Sequence, residues 1–541
     1  MMSHFNTSTD SLQKGQSKDT EIQESKQVVH PPFDDVLLGS ERLVSHVSDL
    51  LTVNEPIPHA EILKVLIGQF EPLDFQSLAF PEVERLKNEL VKLDPKSSQA
   101  ISIMVQLLNF KVNQKHLLVL SIENVLKIAQ KNAWGVCKNH DFIYVYNSAY
   151  WNNIDKETFQ KFLGEAAEKM GVEWVLSKFY LFREQLFKQF LSSAFLPNPI
   201  PQKDIVYINL KNGTFEVTPD GIKLRPFDPV DFLTYQLPFE YDPEARAPIF
   251  HMYLDRVLPE QQRQMILAEF LGYVFMKHGG KTTKEEKSLV LYGTGANGKS
   301  VFYEIVNALL GPNNVSSYSL QSLTNENGYF LAMLANSLVN YASEINGNLN
   351  PSIFKQLCSG EPVEARLPYG QPFTLTQYAK LIFNCNELPK EVEHTRAYFR
   401  RFLIVPFDVA IPEEEQDKQL HHKIIDTELS GVFNWLLEGL HRLLKNKRFT
   451  PCDAVRKASE DYEKQSDSIR LFVEESGYIK SPTDYTTIKE LYSGYRIFCI
   501  EDGFKSINKS NFKRRLSGLE ITIDRKNVGL VAYLTKNTES F

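Results

Sequence analysis

The sequence predicts a multidomain α/β protein organised on a sheet with both faces covered, and three observations carry that reading. Ser288-Leu-Val-Leu-Tyr, Leu338-Val-Asn-Tyr-Ala and Lys380-Leu-Ile-Phe-Asn are apolar runs of strand length, the pattern of strands buried on both sides. Segments of helical spacing alternate with them. A glycine-rich octet, Gly293-Thr-Gly-Ala-Asn-Gly-Lys-Ser300, joins the first run to one of those helices. The 541 residues exceed one ordinary domain, and 43% hydrophobic with 23% charged residues exclude the disordered and membrane classes for most of the chain.

Residues 1–30 carry Ser, Thr, Gln, Lys and Asp with almost no large apolar side chains, too few to offset the entropy of ordering, and are predicted to be a disordered tail. Residues 31–130 read as a helical N-terminal region, because Ala60-Glu-Ile-Leu-Lys-Val-Leu-Ile and Ile101-Ser-Ile-Met-Val-Gln-Leu-Leu place apolar residues at helical spacing. Residues 131–280 are mixed. A strand at Phe142-Ile-Tyr-Val-Tyr ends at Tyr150-Trp151, and a helix over 156–170 stops at Gly171. The Asn212-Gly213 turn joins Ile205-Val-Tyr-Ile-Asn-Leu to Thr214-Phe-Glu-Val as a hairpin; 226–243 is Pro-rich and extended, and 261–276 is helical. The α/β core occupies 281–410. Residues 411–465 are a helical segment, apolar on one face over 431–444, running into a polar linker at 457–468, and 466–541 form a small separate domain.

A formal charge of −7 excludes a surface that is basic throughout, so any DNA site is local. No run approaches the roughly 18–20 apolar residues of a membrane span, and the N-terminus has no apolar signal core, which predicts a cytoplasmic protein. Cys137, Cys358, Cys385, Cys452 and Cys499 lack metal or redox spacing and are expected to be buried thiols.

The octet fits G-x-x-x-x-G-K-[ST] and stands between a strand and a helix, as that phosphate-binding motif requires. Gly293, Gly295 and Gly298, with Thr294, Ala296 and Asn297 completing the loop, let backbone N–H groups fold around the phosphates of ATP. Lys299 reaches the β and γ phosphates, and Ser300 offers its hydroxyl to Mg²⁺ at a helix N-terminus. Hydrolysis also needs a carboxylate at the end of a neighbouring strand, to hold the metal's water shell or polarise the attacking water, and Glu344 fits. Asn386 follows the run that starts at Lys380, where an amide can hydrogen-bond the γ-phosphate and the lytic water; an Asx turn before Pro389 is its alternative. Arg400 and Arg401 precede another strand, Phe402-Leu-Ile-Val-Pro. An arginine reaching a neighbour's ATP stabilises transition-state charge, while a solvated or ion-paired surface is the alternative for such a pair.

Together these motifs resemble superfamily 3 helicases of the phage, plasmid and poxvirus primase-associated type, whose core is an AAA+-like P-loop NTPase. The likeness covers about residues 130–410, with phosphate loop, acidic strand end, basic segment, sensor Asn and arginine pair in the family's order. The stretch 355–373 resembles the segment leading into the family's DNA-contacting hairpin. By that likeness Lys355, Arg366, Tyr369 and Gln371 contact a DNA strand in a channel, and residues 131–280 are the domain that precedes the motor. The resemblance implies a hexameric ring with ATP at each interface, a DNA helicase acting in replication, and a primase supplied by another chain. Of the two arginines, Arg401 is favoured as the finger because it directly precedes the strand. The sequence departs from the family at Ser343-Glu344, where an acidic pair is usual, and at Gly370, where a basic residue is expected at the hairpin tip. An ATP-dependent loader or switch that binds DNA without unwinding is the alternative.

At the C-terminus, 487–499 and 508–516 read as helices, followed by a hairpin of Ile521-Thr-Ile-Asp and Gly529-Leu-Val-Ala-Tyr-Leu, the order of a winged-helix domain. Lys505, Lys509, Lys513, Arg514, Arg515, Arg525 and Lys526 stand against Glu520 and Asp524 as a local basic patch, expected to bind duplex DNA. A small module whose charges are solvated or dock on a partner is the alternative.

Overall fold

Alternation along short strands builds the centre of this structure, a computed structural model that describes residues 56–139, 142–194, 204–279, 285–343, 345, 349–368, 370–389 and 392–536. Strands β1 (Ser288–Tyr292), β2 (Val315–Ser316), β3 (Val339–Ser343), β4 (Lys380–Cys385) and β5 (Phe402–Pro406) form one parallel sheet in the order β5-β1-β4-β3-β2. Successive side chains point to opposite faces. Leu289, Leu291, Tyr341, Ile382 and Val405 join one core with the helices Pro248–Val257, Gln261–Tyr273, Lys299–Leu310 and Leu420–Asn446. Val290, Ala342, Leu381, Phe383 and Ile404 join a second core with Pro351–Ser359 and Asp453–Gln465. Both faces are therefore covered, as the apolar runs predict.

Two helices on the first face meet at glycines. Leu420–Asn446 runs so close to Gln261–Tyr273 that a Cβ on Gly439 would stand 2.3 Å from the Ala268 carbonyl carbon, and one on Gly272 would stand 2.6 Å from the Leu440 Cβ. Glu269 is fully buried beside this crossing and accepts from Arg442 Nε at 2.6 Å and from the Thr450 amide at 2.7 Å.

Upstream, helices His59–Gln69, Phe75–Ala79, Pro81–Leu90, Ser98–Asn109 and Gln114–Lys131 precede an antiparallel sheet of Gly135–Asn139, Phe142–Tyr146 and Trp151–Ile154. The predicted tail 1–30 and the first part of the helical region lie outside the described residues. Trp151, read from sequence as the end of an element, opens the third strand instead. Its amide donates to Leu233 O at 2.8 Å and its indole to Pro229 O at 2.9 Å, partners some eighty residues away that no local pattern announces. Helix Lys156–Lys169 ends before Gly171, which takes φ 99°. The hairpin Val206–Leu210 with Gly213–Thr218 gains an unforeseen third strand, Gly221–Arg225, whose mostly exposed residues carry little apolar signal.

The polar stretch 457–468 is not a linker. Helix Asp453–Gln465 occupies most of it, and Tyr462, 3% exposed, packs with ring centroids 5.3 Å from Phe399 and 5.7 Å from Phe402. Val455, Ala458 and Tyr462 form a one-sided apolar stripe that the surrounding charges mask. Beyond it, Ser468–Glu475, Tyr478–Lys480, Thr486–Thr487, Ile488–Glu501, Lys509–Gly518, Ile523–Lys526, Gly529–Ala532 and Leu534–Lys536 share a core of their own around Phe472, Tyr495, Phe512 and Leu516. All five cysteines are free; four are buried and Cys452 is half-buried. Among the described residues no helix is long and apolar enough to cross a membrane.

Two expectations follow for stability. Gly439→Ala should lower the urea unfolding midpoint by the equivalent of about 1–3 kcal/mol, since the helix crossing leaves no room for a methyl group. Lys380, at the start of β4, is buried with its Nζ 3.0 Å from His278 Nδ1 and 4.3 Å from the Tyr273 ring centroid, and burial pulls its ammonium down to about 7. The unfolded chain keeps an ordinary lysine near 10.4, so between these values it binds the extra proton and the stability lost to Lys380 is recovered as pH rises. Lys380→Met should therefore stabilise most below about pH 7, with the two unfolding midpoints converging towards about pH 10. A pH-independent difference would show that the fold leaves the amine at its ordinary lysine pKa.

Candidate functional site

Parallel strands bring their carboxyl ends to one edge, and the octet begins there, between β1 and helix Lys299–Leu310. Gly293 has no space for a side chain, because a Cβ would stand 2.3 Å from Asn297 Nδ2 and 2.4 Å from Phe407 O. Gly295 (φ 110°) and Gly298 (φ 86°) take backbone conformations that favour glycine, and Ala296 between them has φ 49°. Four anchors from distant segments hold the loop. The Gly293 amide donates to Cys385 O at 3.1 Å, Asn297 Nδ2 to Phe407 O at 3.0 Å, the Ile411 amide to Ala296 O at 2.7 Å and the Tyr253 hydroxyl to Gly298 O at 2.9 Å. Tyr253 escapes sequence reading because nothing in its own helix, Pro248–Val257, marks a contact 45 residues away.

Lys299 is buried in the loop, donating to Gly293 O at 2.5 Å and to Asn297 Oδ1 at 3.1 Å, and burial pulls its ammonium below the ordinary lysine range. Thr294 and Ser300 are exposed, Ser300 in the first turn of the helix. Ser343, the last residue of β3, pairs in register with Asn384 of β4, whose Oδ1 accepts from the Tyr341 hydroxyl at 3.0 Å. Glu344 follows and lies outside the described residues. Asn386 is exposed at the first position past β4, one residue beyond the carbonyl that holds Gly293. The loop, the end of β3 and Asn386 therefore gather at one edge.

The arginine pair sits at the other. The Ser288 amide donates to Arg401 O at 2.8 Å, so both arginines stand beside the start of β1, four residues and about 13 Å of strand from its end. The two differ sharply in commitment. Arg401, with 8% of its side chain exposed, donates to Lys355 O at 3.1 Å, to Ala397 O and to Ser359 Oγ at 2.7 Å, and lies 3.9 Å from Glu286. Arg400 is 56% exposed and meets Glu286 at 2.7 Å.

The candidate DNA-binding residues divide in the same way. Arg366 and Gln371 lie in the connection of the hairpin Val363–Ala365 with Phe373–Leu375, Arg366 donating to Asn327 O at 3.2 Å over the Tyr329 ring and Gln371 exposed. Tyr369 lies outside the described residues. Lys355 is apart from that connection, on helix Pro351–Ser359, where both Glu393 oxygens accept from its Nζ at 3.0 and 2.8 Å and its ammonium holds that carboxylate below its usual range.

At the C-terminus Lys505, Lys509, Arg514, Arg525 and Lys526 are exposed and Lys513 is half-buried; Lys526 lies 3.4 Å from Asp524. Arg515 is turned to a structural task. It pairs at 2.6 Å with Asp467, which also accepts from the Ile469 and Arg470 amides and lies 3.9 Å from His394 Nδ1.

Fold and site define a mixed α/β protein with a glycine loop at the carboxyl edge of a parallel sheet. Residues 125–259 match a family model described as "D5 N terminal like", and residues 291–401, from within β1 to Arg401, match a "Family of unknown function (DUF5906)". The chain is 23% identical over 328 residues to "Putative helicase L207/L206" of Acanthamoeba polyphaga mimivirus, covering 54% of this chain and 33% of that protein, so it spans about a third of that relative's length. Two apo structures of the NrS-1 C-terminal region align at 12% and 13% identity with TM-scores of 0.42, covering 76% of this chain and 98% of each.

If the loop takes a nucleotide, Tyr253→Phe should weaken that binding several-fold without unfolding the protein, because the loop loses one hydrogen bond worth about 1 kcal/mol; calorimetric titration with ATP reads this directly. If the C-terminal basic patch binds DNA, Lys513→Ala or Arg514→Ala should each reduce the log–log slope of affinity against salt by about 1, whereas Arg515→Ala should chiefly lower the unfolding midpoint.

Proposed function

We propose that this chain is an ATP-driven motor of superfamily 3 that translocates on DNA in the replication of a virus, phage or plasmid. The observation that carries this reading is the built loop of residues 293–300, its glycines shaped for backbone approach and Lys299 held inside it. The "D5 N terminal like" match and a mimivirus relative described as a helicase support the replicative context.

A triphosphate fits this cradle. Gly295 leaves open space where a Cβ would stand, the helix N-terminus favours anions, and Lys299 exchanges its bonds to Gly293 O and Asn297 Oδ1 for phosphate oxygens. Ser300 and Glu344 would hold Mg²⁺, which offsets charge on the β and γ oxygens. Asn386, at the same edge, orients the attacking water. The finger is Arg400 rather than Arg401, since Arg401 is buried against its own subunit while Arg400 is exposed. Because both arginines lie at the far edge of their own sheet, the finger serves the ATP of a neighbouring subunit, and repetition of that contact closes a ring of six. Arg366, Tyr369 and Gln371 contact one DNA strand, the C-terminal winged-helix-like module holds duplex through Lys509, Lys513, Arg514, Arg525 and Lys526, and a primase comes from another chain.

The test is ATP-dependent unwinding of a forked duplex at fixed salt. Lys299→Ala should abolish both hydrolysis and unwinding. Arg400→Ala should lower kcat by about 10³ or more while nucleotide binding is retained, and mixing the two variants should restore part of the activity. Robust ATPase without strand separation would replace the motor with a DNA-bound loader or switch. Loss of hydrolysis in Arg401→Ala at unchanged stability would return the finger to Arg401.

A further inference from the structure

Helix Lys299–Leu310 packs on the face of the sheet that carries Leu291, Tyr341 and Ile382. Side chains alternate along a strand, so Ser343 and Asn384 turn to that same face, as in-register neighbours near the ends of β3 and β4. Asn384 also pairs with Leu291 of β1, and the next residue, Cys385, accepts from the Gly293 amide. Two rings give the height. Tyr303, four residues or roughly 6 Å of helix beyond Lys299, meets Tyr341 at 4.9 Å between ring centroids. Tyr341 pairs with Ile382, two residues or roughly 7 Å of strand before Asn384. Asn384 therefore stands level with Lys299, on the face that the first turn of the helix covers.

Tyr341 is 1% exposed, and burial pushes its phenol well above the usual range. Its hydroxyl donates to Asn384 Oδ1 at 3.0 Å. Any acceptor oxygen would satisfy that phenol. Asn384 brings an NH₂ group besides, and among the described residues that group has no hydrogen-bond partner, although the residue is half-buried. The amide is planar, so the bond that fixes its oxygen also fixes the direction of both N–H donors. Tyr341 is held in turn, within β3 and against Tyr303. Oriented neutral donors level with Lys299 suit an oxyanion that the lysine also meets.

We propose that Asn384 is a further ligand of the terminal phosphate, its NH₂ group donating to a γ-phosphate oxygen, and that Tyr341 is the positioning residue that holds the amide in that orientation. This role rests on ATP binding at the glycine loop, and adds the means by which the site tells a triphosphate from a diphosphate. Asn386, two residues further and exposed, is left to the attacking water. ADP lacks the oxygen that Asn384 meets, so the affinity for ATP alone depends on it.

Calorimetric titration of the full chain with ADP and with a non-hydrolysable ATP analogue, at one magnesium concentration, tests this. Asn384→Ala is expected to weaken the analogue about tenfold or more while ADP binds as it does to the wild type. Tyr341→Phe should weaken the analogue by a smaller factor, and the double variant should match Asn384→Ala, since the hydroxyl acts only through the amide. The double variant removes both partners of the buried bond and serves if Asn384→Ala does not fold. A side chain that only satisfied the phenol would lower the unfolding midpoint and leave the preference between the two nucleotides at its wild-type value. That outcome overturns the proposal, as do equal weakening of analogue and ADP, or effects of the two single variants that add in full. Failure of the wild type to bind either nucleotide would overturn the ATP reading, and this role with it.

Discussion

A parallel sheet has one carboxyl edge, and that constraint sorts every candidate residue in the core. Because β1 lies between β4 and β5, the chain leaving each neighbour passes the glycine loop: Cys385 holds Gly293 from one side and Phe407 holds Asn297 from the other. The same geometry sends Arg400 and Arg401 to the opposite edge, beside Ser288. No small side-chain movement reunites groups separated by a whole strand. A reaction that uses both edges cannot be completed within one copy of the chain.

Much of this was readable in the sequence, and the unread parts have physical causes. The octet is legible because a tight glycine-rich turn restricts backbone and side chains locally, and β1, β3, β4 and β5 are legible because burial on both faces demands unbroken apolar runs. β2, with only Val315 and Ser316, is too short to leave such a run. Helix Asp453–Gln465 reads as linker because one apolar stripe is diluted by charges on its other faces. The preference for Arg401 rested on its nearness to β5, and that nearness is what buries it: the residue directly before a core strand enters the interior, while Arg400 one position earlier stays outside. Tyr253 and Glu286 act through contacts whose partners are remote, so their own neighbourhoods carry no mark of them.

The upstream region packs onto the α/β core. Phe142, Tyr144, Tyr146, Trp151 and Phe232 form an aromatic cluster against which Leu367 and Phe373 of the hairpin segment pack. A side-chain bond from Tyr144 to Asn336 ties the same cluster to the approach to β3, the strand that ends at Ser343. Hairpin base and the strand that ends at Ser343 thus share a brace, and displacement of one is felt through packed rings rather than through a flexible tether.

Arg515 has one guanidinium and two prospective anions. In this structure Asp467 has it, and Asp467 in turn caps helix Ser468–Glu475 and stands near His394 in the segment that leads to the arginine pair. A DNA phosphate that captured Arg515 would leave that carboxylate, 9% exposed, with its cap amides but without its cation. The pair thus fastens helix Ser468–Glu475 to helix Lys509–Gly518 within the module, so another anion could take Arg515 only by loosening the module's own frame, as a keystone taken away loosens an arch.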